Sequence, residues 1–498
     1  MSLHTAIKLV HSLSKSEKKM FTLYTRQQSV TRGYVELFRL IERHRITDVQ
    51  NVSRLFLEKY NRKQLNNSAA YLVKVITQCL IDIKTEKDPF FQLIHKFLEV
   101  QILQERALYT ESNDLRIQIQ LQARLQQQPV IEYLTYRKEL DVLSINNFQE
   151  INDTELIQKQ MRAKELLKTI HHAQEHHTLF ELLKYRLTKA GKLSSAEEQK
   201  KMNDLMLSEM ILVADKSKKN FTQQKLHLLF QSYFFTNVSD HRSALKTFNV
   251  LNQLFEDNIA LQENPPHDYL STLTGILDNL QSLKMYTEME PYLLKLQQLS
   301  IAAYPEYFKS LAHGLYLNYQ LAIFIANNEL NTAKRLIEHA DNAGLHQYVM
   351  ADEEKLWSLF FYCSLTYFKL KEYKKAHRFI SHIMNNYKEQ TAWIICKATR
   401  LLNMMIYFEQ GDNDYLEYEI RSYKRFYKNK KSQLKSELML LRLLANWSKI
   451  NRKNITTDAV KKLNAEIKEI QSSPYEEQLL VYIDIPAWAI QKTGIMVS

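Results

Sequence analysis

Four histidines within seven residues, His171, His172, His176 and His177, are the densest group of metal-ligating side chains in the chain. His172 and His176 stand four apart, as do His171 and Glu175, so a helix puts each pair on one face. Zinc sites take two ligands in this way, but a closed or catalytic site needs a third or fourth. Neither H-E-x-x-H nor a C-x-x-C pair occurs anywhere in the sequence. The cluster therefore reads as a polar helix face, and no metal is assigned. Phosphate cradles and nucleophile elbows need two glycines within six residues. The closest two glycines are Gly314 and Gly344, which excludes both motifs. Cys79, Cys363 and Cys396 lie far apart among apolar residues, which predicts buried, reduced thiols. No catalytic residue and no cofactor follows from any spacing, and the chain is expected not to be an enzyme.

Charge points to binding instead. The 67 Lys and Arg exceed the 55 Asp and Glu by 12, and the excess is concentrated. Residues 1–100 carry 17 basic and 9 acidic side chains, and residues 421–435 carry seven basic and none acidic. Such concentration predicts an anionic partner, although a solvated basic surface gives the same count. On a helix advancing about 100° per residue, Arg421, Lys424, Arg425, Lys428, Lys431 and Lys435 share one stripe. Ile420, Tyr423, Phe426, Tyr427 and Leu434 lie opposite. One amphipathic helix with a basic contact face is expected there. Near the N-terminus, a helix over 48–60, a turn over 61–66 and a helix from Asn67 suggest a helix-turn-helix. Asn67, Tyr71 and Lys74 would then open the second helix, and Arg54, Arg62 and Lys63 would meet phosphate.

The elements that must position these residues are helices. Seven Gly and eight Pro in 498 residues make hairpin sheets improbable and predict long segments with few sharp turns. Ser14 with Glu17 forms a capping box, and Asp88-Pro89 starts a further helix. Ser194 with Glu197, or Ser195 with Glu198, does the same near residue 197. From residue 225 onward an internal period emerges. Ala244, Met289, Ala333 and Ala376 recur 45, 44 and 43 apart, each followed by apolar residues at +4 and +7. Phe235, Leu280, Phe324 and Tyr367 stand nine before them, and a weaker fifth copy centres on Tyr418. A helix, a turn and a second helix cannot bury their apolar stripe alone, so such pairs must stack.

The last full copy resembles a tetratricopeptide repeat. In LFFYCSLTYFKLKEYKKAHRFISHIM, Tyr367, Leu370, Tyr373, Ala376, Ile380 and Ile383 stand where that family places its signature residues. Ser364 replaces the small glycine, no proline closes the unit, and the period exceeds the family's 34. The resemblance implies a superhelix whose inner helices line a concave peptide-binding face. It places Leu229, Tyr233, Asn237, Asp278, Asn318, Tyr319, Phe361, Leu365 and Lys369 there, with Thr274, Gln281 and Ala322 beside them.

The expected protein is all-α: a solenoid of stacked helical hairpins behind a small helical bundle. Its divisions are a basic N-terminal bundle over 1–88, an irregular helical region over 89–224, the repeats over 225–435 and capping helices over 436–498. The expected role is a non-enzymatic scaffold or adaptor that binds a protein or peptide. The alternative is a nucleic-acid-associated regulator using the basic N-terminal block, with the repeats sensing a peptide or forming a dimer. Residues 1–19 lack a signal-peptide core, and no stretch suits a membrane span, which predicts a cytoplasmic protein without membrane insertion. The wealth of Lys, Asn, Tyr and Ile also fits an AT-rich bacterial genome.

Overall fold

The computed structural model describes residues 2–26, 33–44, 49–149, 151–190, 200, 202–214, 220–342, 353–386, 394–427, 433–447, 457–473 and 475–493. Among them are 24 α-helices, two short 3-10 helices and no strand. No described helix is long and apolar enough to cross a membrane. The chain forms two compact units, one of residues 1–173, 263–265 and 303–309, the other of the remainder.

The first unit opens with α1 (Leu3–Ser12), α2 (Lys15–Arg26), α3 (Gly33–Arg43), α4 (Val49–Leu57) and α5 (Arg62–Lys87). The expected capping box starts α2: the Ser14 N–H donates to Glu17 Oε2 at 2.7 Å, and the Glu17 N–H donates to Ser14 Oγ. Phe21, Leu37, Phe38, Ile41, Phe56, Leu72 and Ile76 pack one apolar core. The turn before α5 is shorter than the sequence suggests. Asn61 and Gln64 cap each other reciprocally, at 2.8 and 2.9 Å, so α5 starts at Arg62 rather than Asn67. Lys59 and Tyr60 both donate to Glu36 on α3 at 2.8 Å and fasten this turn to the bundle.

Three 17-residue helices follow, α6 (Pro89–Glu105), α7 (Tyr109–Leu125) and α8 (Pro129–Ile145), and then α9 (Asp153–Ala190). Asp88 accepts from the Phe90 N–H at 3.1 Å, as its place before Pro89 predicts. The starts of α6, α7 and α8 recur every twenty residues, a period not apparent from the apolar pattern. Buried Arg116 reaches Glu139 at 3.1 Å, and buried Glu132 accepts from Arg124 and Arg162.

In the second unit α10 (Asn203–Ala214) precedes the periodic hairpins. These are α11 (Phe221–Asn237) with α12 (His241–Asp257), α13 (His267–Ser282) with α14 (Glu290–Ile301), and α15 (Glu306–Ala326) with α16 (Leu330–Asn342). Next come α17 (Glu353–Lys369) with α18 (Tyr373–Asn386) and α19 (Ile394–Gln410) with α20 (Asn413–Tyr427). The chain closes with α21 (Lys435–Trp447), α22 (Thr457–Ser472), α23 (Glu477–Leu480) and α24 (Ile485–Thr493). Ala244, Met289, Ala333 and Ala376 are wholly buried, and so, within a few per cent, are their partners at +4 and +7. Tyr418 is not the fifth anchor, being 59% exposed. Leu416 takes that place, fully buried and followed by buried Ile420 and Tyr423 at +4 and +7.

Sharp turns are not scarce, contrary to the reading of glycine content. Ser239, Lys284, Asn328, Lys371 and Gly411 all have φ between 58° and 76° and each stands five before its anchor. After each, the next N–H donates back to a carbonyl five earlier, as in Met285 to Leu280 at 2.9 Å and Glu372 to Tyr367 at 2.9 Å. This is the Schellman closure, which usually takes glycine. Ala107, Gln127 and Asn147 close α6, α7 and α8 in the same way. Left-handed backbone strains a non-glycine residue by about 1–2 kcal/mol, partly offset by the greater chain entropy of glycine. Lys371→Gly is expected to raise stability by about 0.5 kcal/mol. Gly411→Ala is expected to lower it by about 1 kcal/mol, because a Cβ there meets nothing and only backbone strain remains. Urea denaturation of both variants checks the pair.

Candidate functional site

The second unit holds a cavity of 760 Å³. Its walls come from α11, α13, α15, α17 and α19, the first helix of each hairpin, together with α9 and the start of α12. One helix face recurs around it. His267, Leu311 and Glu354 stand 22 before their anchors, and Ser271, Leu315 and Ser358 stand 18 before; all six line the space. Thr274 and Asn318, at 15 before, and Tyr233 and Asp278, at 11 before, complete the face. These steps of four, three and four are those that keep side chains on one side of a helix.

Close approach makes the wall possible. Gly275 sits against Phe248: a Cβ there would lie 2.2 Å from the ring. That contact brings α13 onto α12, and Phe248 in turn lines the cavity. Asn279 is wholly buried beside it and donates to Thr236 at 3.0 Å and to the Gly275 carbonyl at 2.7 Å. His241 Nδ1 lies 2.8 Å from Asn279 Oδ1.

A second group links α13 to α15 and to α17, two hairpins away. Tyr319 donates to Asp278 Oδ1 at 2.7 Å, and Lys355 donates to the same oxygen at 2.5 Å. Gln281 donates to the Tyr362 hydroxyl at 2.6 Å. Burial holds the Tyr362 phenol well above its ordinary range, so it stays neutral. Tyr482, just beyond α23, stacks on Tyr362 at 6.1 Å and meets Phe361 edge-on at 5.7 Å. Gln478, Val481 and Tyr482 thus close part of the cavity. Asn318 is 1% exposed, and its Oδ1 has no hydrogen-bond partner. A buried acceptor left unmade costs about 1–3 kcal/mol, and this one is closed off from solvent.

Tyr233, Asn237, Asp278 and Asn318, all proposed from the repeat pattern, line this one space, with Thr274 and Gln281. Tyr319 is fully buried behind Asp278. Leu229, Phe361, Leu365 and Ala322 lie in the packed core, and Lys369 is exposed away from the cavity. The core residues follow the same register but are buried, Phe361 under the edge-on ring of Tyr482. The two positions nearest the start of each first helix, represented by Ser271 and His267, were missed. Extending the same helix face by two turns would have found them.

The other candidates lie elsewhere. Arg421, Lys424 and Arg425 are exposed on α20, while Lys428 and Lys431 fall outside the described residues. The stretch 421–435 is not one helix. The last residue of α20 is Tyr427, Gln433 and Leu434 are non-helical, and α21 starts at Lys435. Glu476 makes this break, accepting from the Lys435 and Ser436 N–H groups at 2.6 and 3.1 Å. Lys435 also pairs with Glu469. Arg54, Arg62, Lys63, Asn67, Tyr71 and Lys74 belong to the first unit and are exposed. His176 is buried on α9, and among the described residues no three ligands gather for a metal. The capping boxes at Ser194 and Ser195 lie outside the described residues. All three cysteines are buried; burial raises each thiol, that of Cys396 to about 12.

Gly275→Ala is expected to lower stability by about 1–3 kcal/mol, because the Phe248 ring must leave its place. Asp278→Ala is expected to lower it by about 1 kcal/mol, the partly exposed ion pair being screened by solvent. Urea midpoints of both variants test whether the wall depends on the close approach more than on the charge. No family model, no curated protein and no solved structure matches the chain.

Proposed function

We propose that the second unit is a tetratricopeptide-like array that holds a short segment of a partner protein in this cavity, acting as a scaffold without catalysing a reaction. The recurring wall carries the reading: one helix face, in the same register in three successive hairpins, lines a single space. Asn237, Ser271 and Thr274 are partly exposed on that wall, and a peptide backbone offers them hydrogen-bonding partners along its length. The volume of 760 Å³ falls within the range of about 300–1,000 Å³ common for ligand sites. Leu270, Leu311, Leu315 and Phe248 supply apolar wall between the polar positions, which suits alternating side chains of an extended segment.

The groups present favour holding over reacting. A nucleophilic cysteine needs a lowered thiol pKa, and the three thiols here are raised. Asp278 is engaged by Tyr319 and Lys355.

Selection of peptides from a displayed random library on the full chain, followed by calorimetric titration, tests the reading. Ser271→Arg fills the cavity from its wall and is expected to weaken a selected peptide by at least about tenfold at an unchanged urea midpoint. Peptides that bind the filled variant as well as the original chain would place the contact elsewhere and remove the proposal.

A further inference from the structure

The first unit carries a surface of different chemistry. The stretch 49–81 holds five Lys and Arg and one acid, Glu58. At about 100° per residue, Lys63, Asn67, Tyr71, Lys74 and Gln78 of α5 fall within an arc of about 80°, and all five are exposed. Leu65, Ala69, Leu72, Ile76 and Cys79 are buried on the opposite side in the bundle core. Arg62 on the first turn of α5 and Arg54 on α4 are also exposed, outside this arc. Arg54, Arg62, Lys63 and Lys74 engage in no ion pair among the described residues, whereas Lys59, on the same turn, is held by Glu36 at 2.8 Å. No acid stands on α5 before Asp82.

The face carries Lys63 and Lys74 along one edge, Asn67 and Gln78 at its centre and Tyr71, packed edge-on against Tyr34 at 4.9 Å, at the other edge, where Gln78 donates to Asp82 at 2.9 Å. Its mounting is rigid. The reciprocal Asn61–Gln64 cap and the Glu36 clamp fix the turn, and α3 approaches so closely that a Cβ on Gly33 would lie 2.9 Å from Ser68 Oγ. A helix with side chains is about 10–12 Å across, and the major groove of B-form DNA is about 12 Å wide. The major groove of A-form RNA is too narrow for it. Amides pair with adenine edges, and flanking Lys and Arg meet phosphates.

We propose that the exposed face of α5 docks in the major groove of duplex DNA, with Asn67 at the base edges and Lys63 and Lys74 toward the phosphates. This goes beyond the peptide reading and does not depend on it. The test uses the full chain, a labelled mixed-sequence duplex and fluorescence anisotropy across a salt series. Lys63→Glu with Lys74→Glu is expected to weaken binding at low salt by at least about tenfold and to flatten the salt slope by about two. Lys424→Glu with Arg425→Glu, an equal charge change in the other unit, is expected to leave binding unchanged. Asn67→Ala is expected to weaken a duplex selected from a random pool by about tenfold while sparing the mixed-sequence duplex. Circular dichroism verifies that each variant is folded. No binding by the original chain, or equal losses in the two charge-reversed pairs, overturns the proposal. So does displacement by polyglutamate as effective as by unlabelled duplex, which points to an acidic protein. Binding to phosphatidylserine vesicles without binding to duplex points instead to a membrane surface and overturns it too.

Discussion

One backbone conformation governs the second unit. Five positions before each buried anchor the chain turns into the left-handed region, at Ser239, Lys284, Asn328, Lys371 and Gly411. The turn satisfies the last carbonyls of one helix and aims the next helix back along it. The anchor then falls in the first turn of the returning helix or, for Met289, in the 3-10 turn that leads into it, where a small or slender residue allows contact. Spacing between turns and spacing between anchors are therefore one quantity. Both read 45, 44, 43 and 40.

This coupling explains what could be read from the amino acids and what could not. The anchors were legible because burial imposes a helical apolar period, and Ala333 with Ile337 and Ala340 displays it openly. The turns were not, because Ser, Lys and Asn occupy a conformation usually announced by glycine. The same substitution hid the twenty-residue spacing of α6, α7 and α8, closed by Ala107, Gln127 and Asn147. The register of the fifth copy slipped by two, because Tyr418 and Leu416 are both large and only burial separates them. Half of the candidate site was legible in the same sense. Thr274, Asn318, Tyr233 and Asp278 follow from the repeat register, but Phe361 and Leu365 share that register and lie sealed in the core. Which equivalent position stays open depends on the bulk of neighbours contributed by other hairpins, and pattern alone does not encode that.

The two candidate surfaces differ in the forces they can use. The cavity offers hydrogen-bonding groups, an internally paired Asp278–Lys355 and the charged residues Lys184, Glu353 and Glu354 on its lining, so an occupant would be selected by shape and by local charge. The face of α5 offers the exposed cations Lys63 and Lys74 beside Asn67, so its pull on an anion would begin at long range and weaken with salt. Each lies within its own compact unit and is built from that unit's side chains.

Contacts around the cavity also bear on how the array comes apart. Asp278 and Gln281 belong to α13, and their partners Lys355 and Tyr362 belong to α17, with a whole hairpin lying between them in the chain. In a stack held only by adjacent contacts, an end repeat frays with little effect beyond its neighbour. Here the middle hairpin is bracketed by bonds that pass over it. Those bonds couple hairpins two apart, a link that opposes the peeling away of one pair at a time.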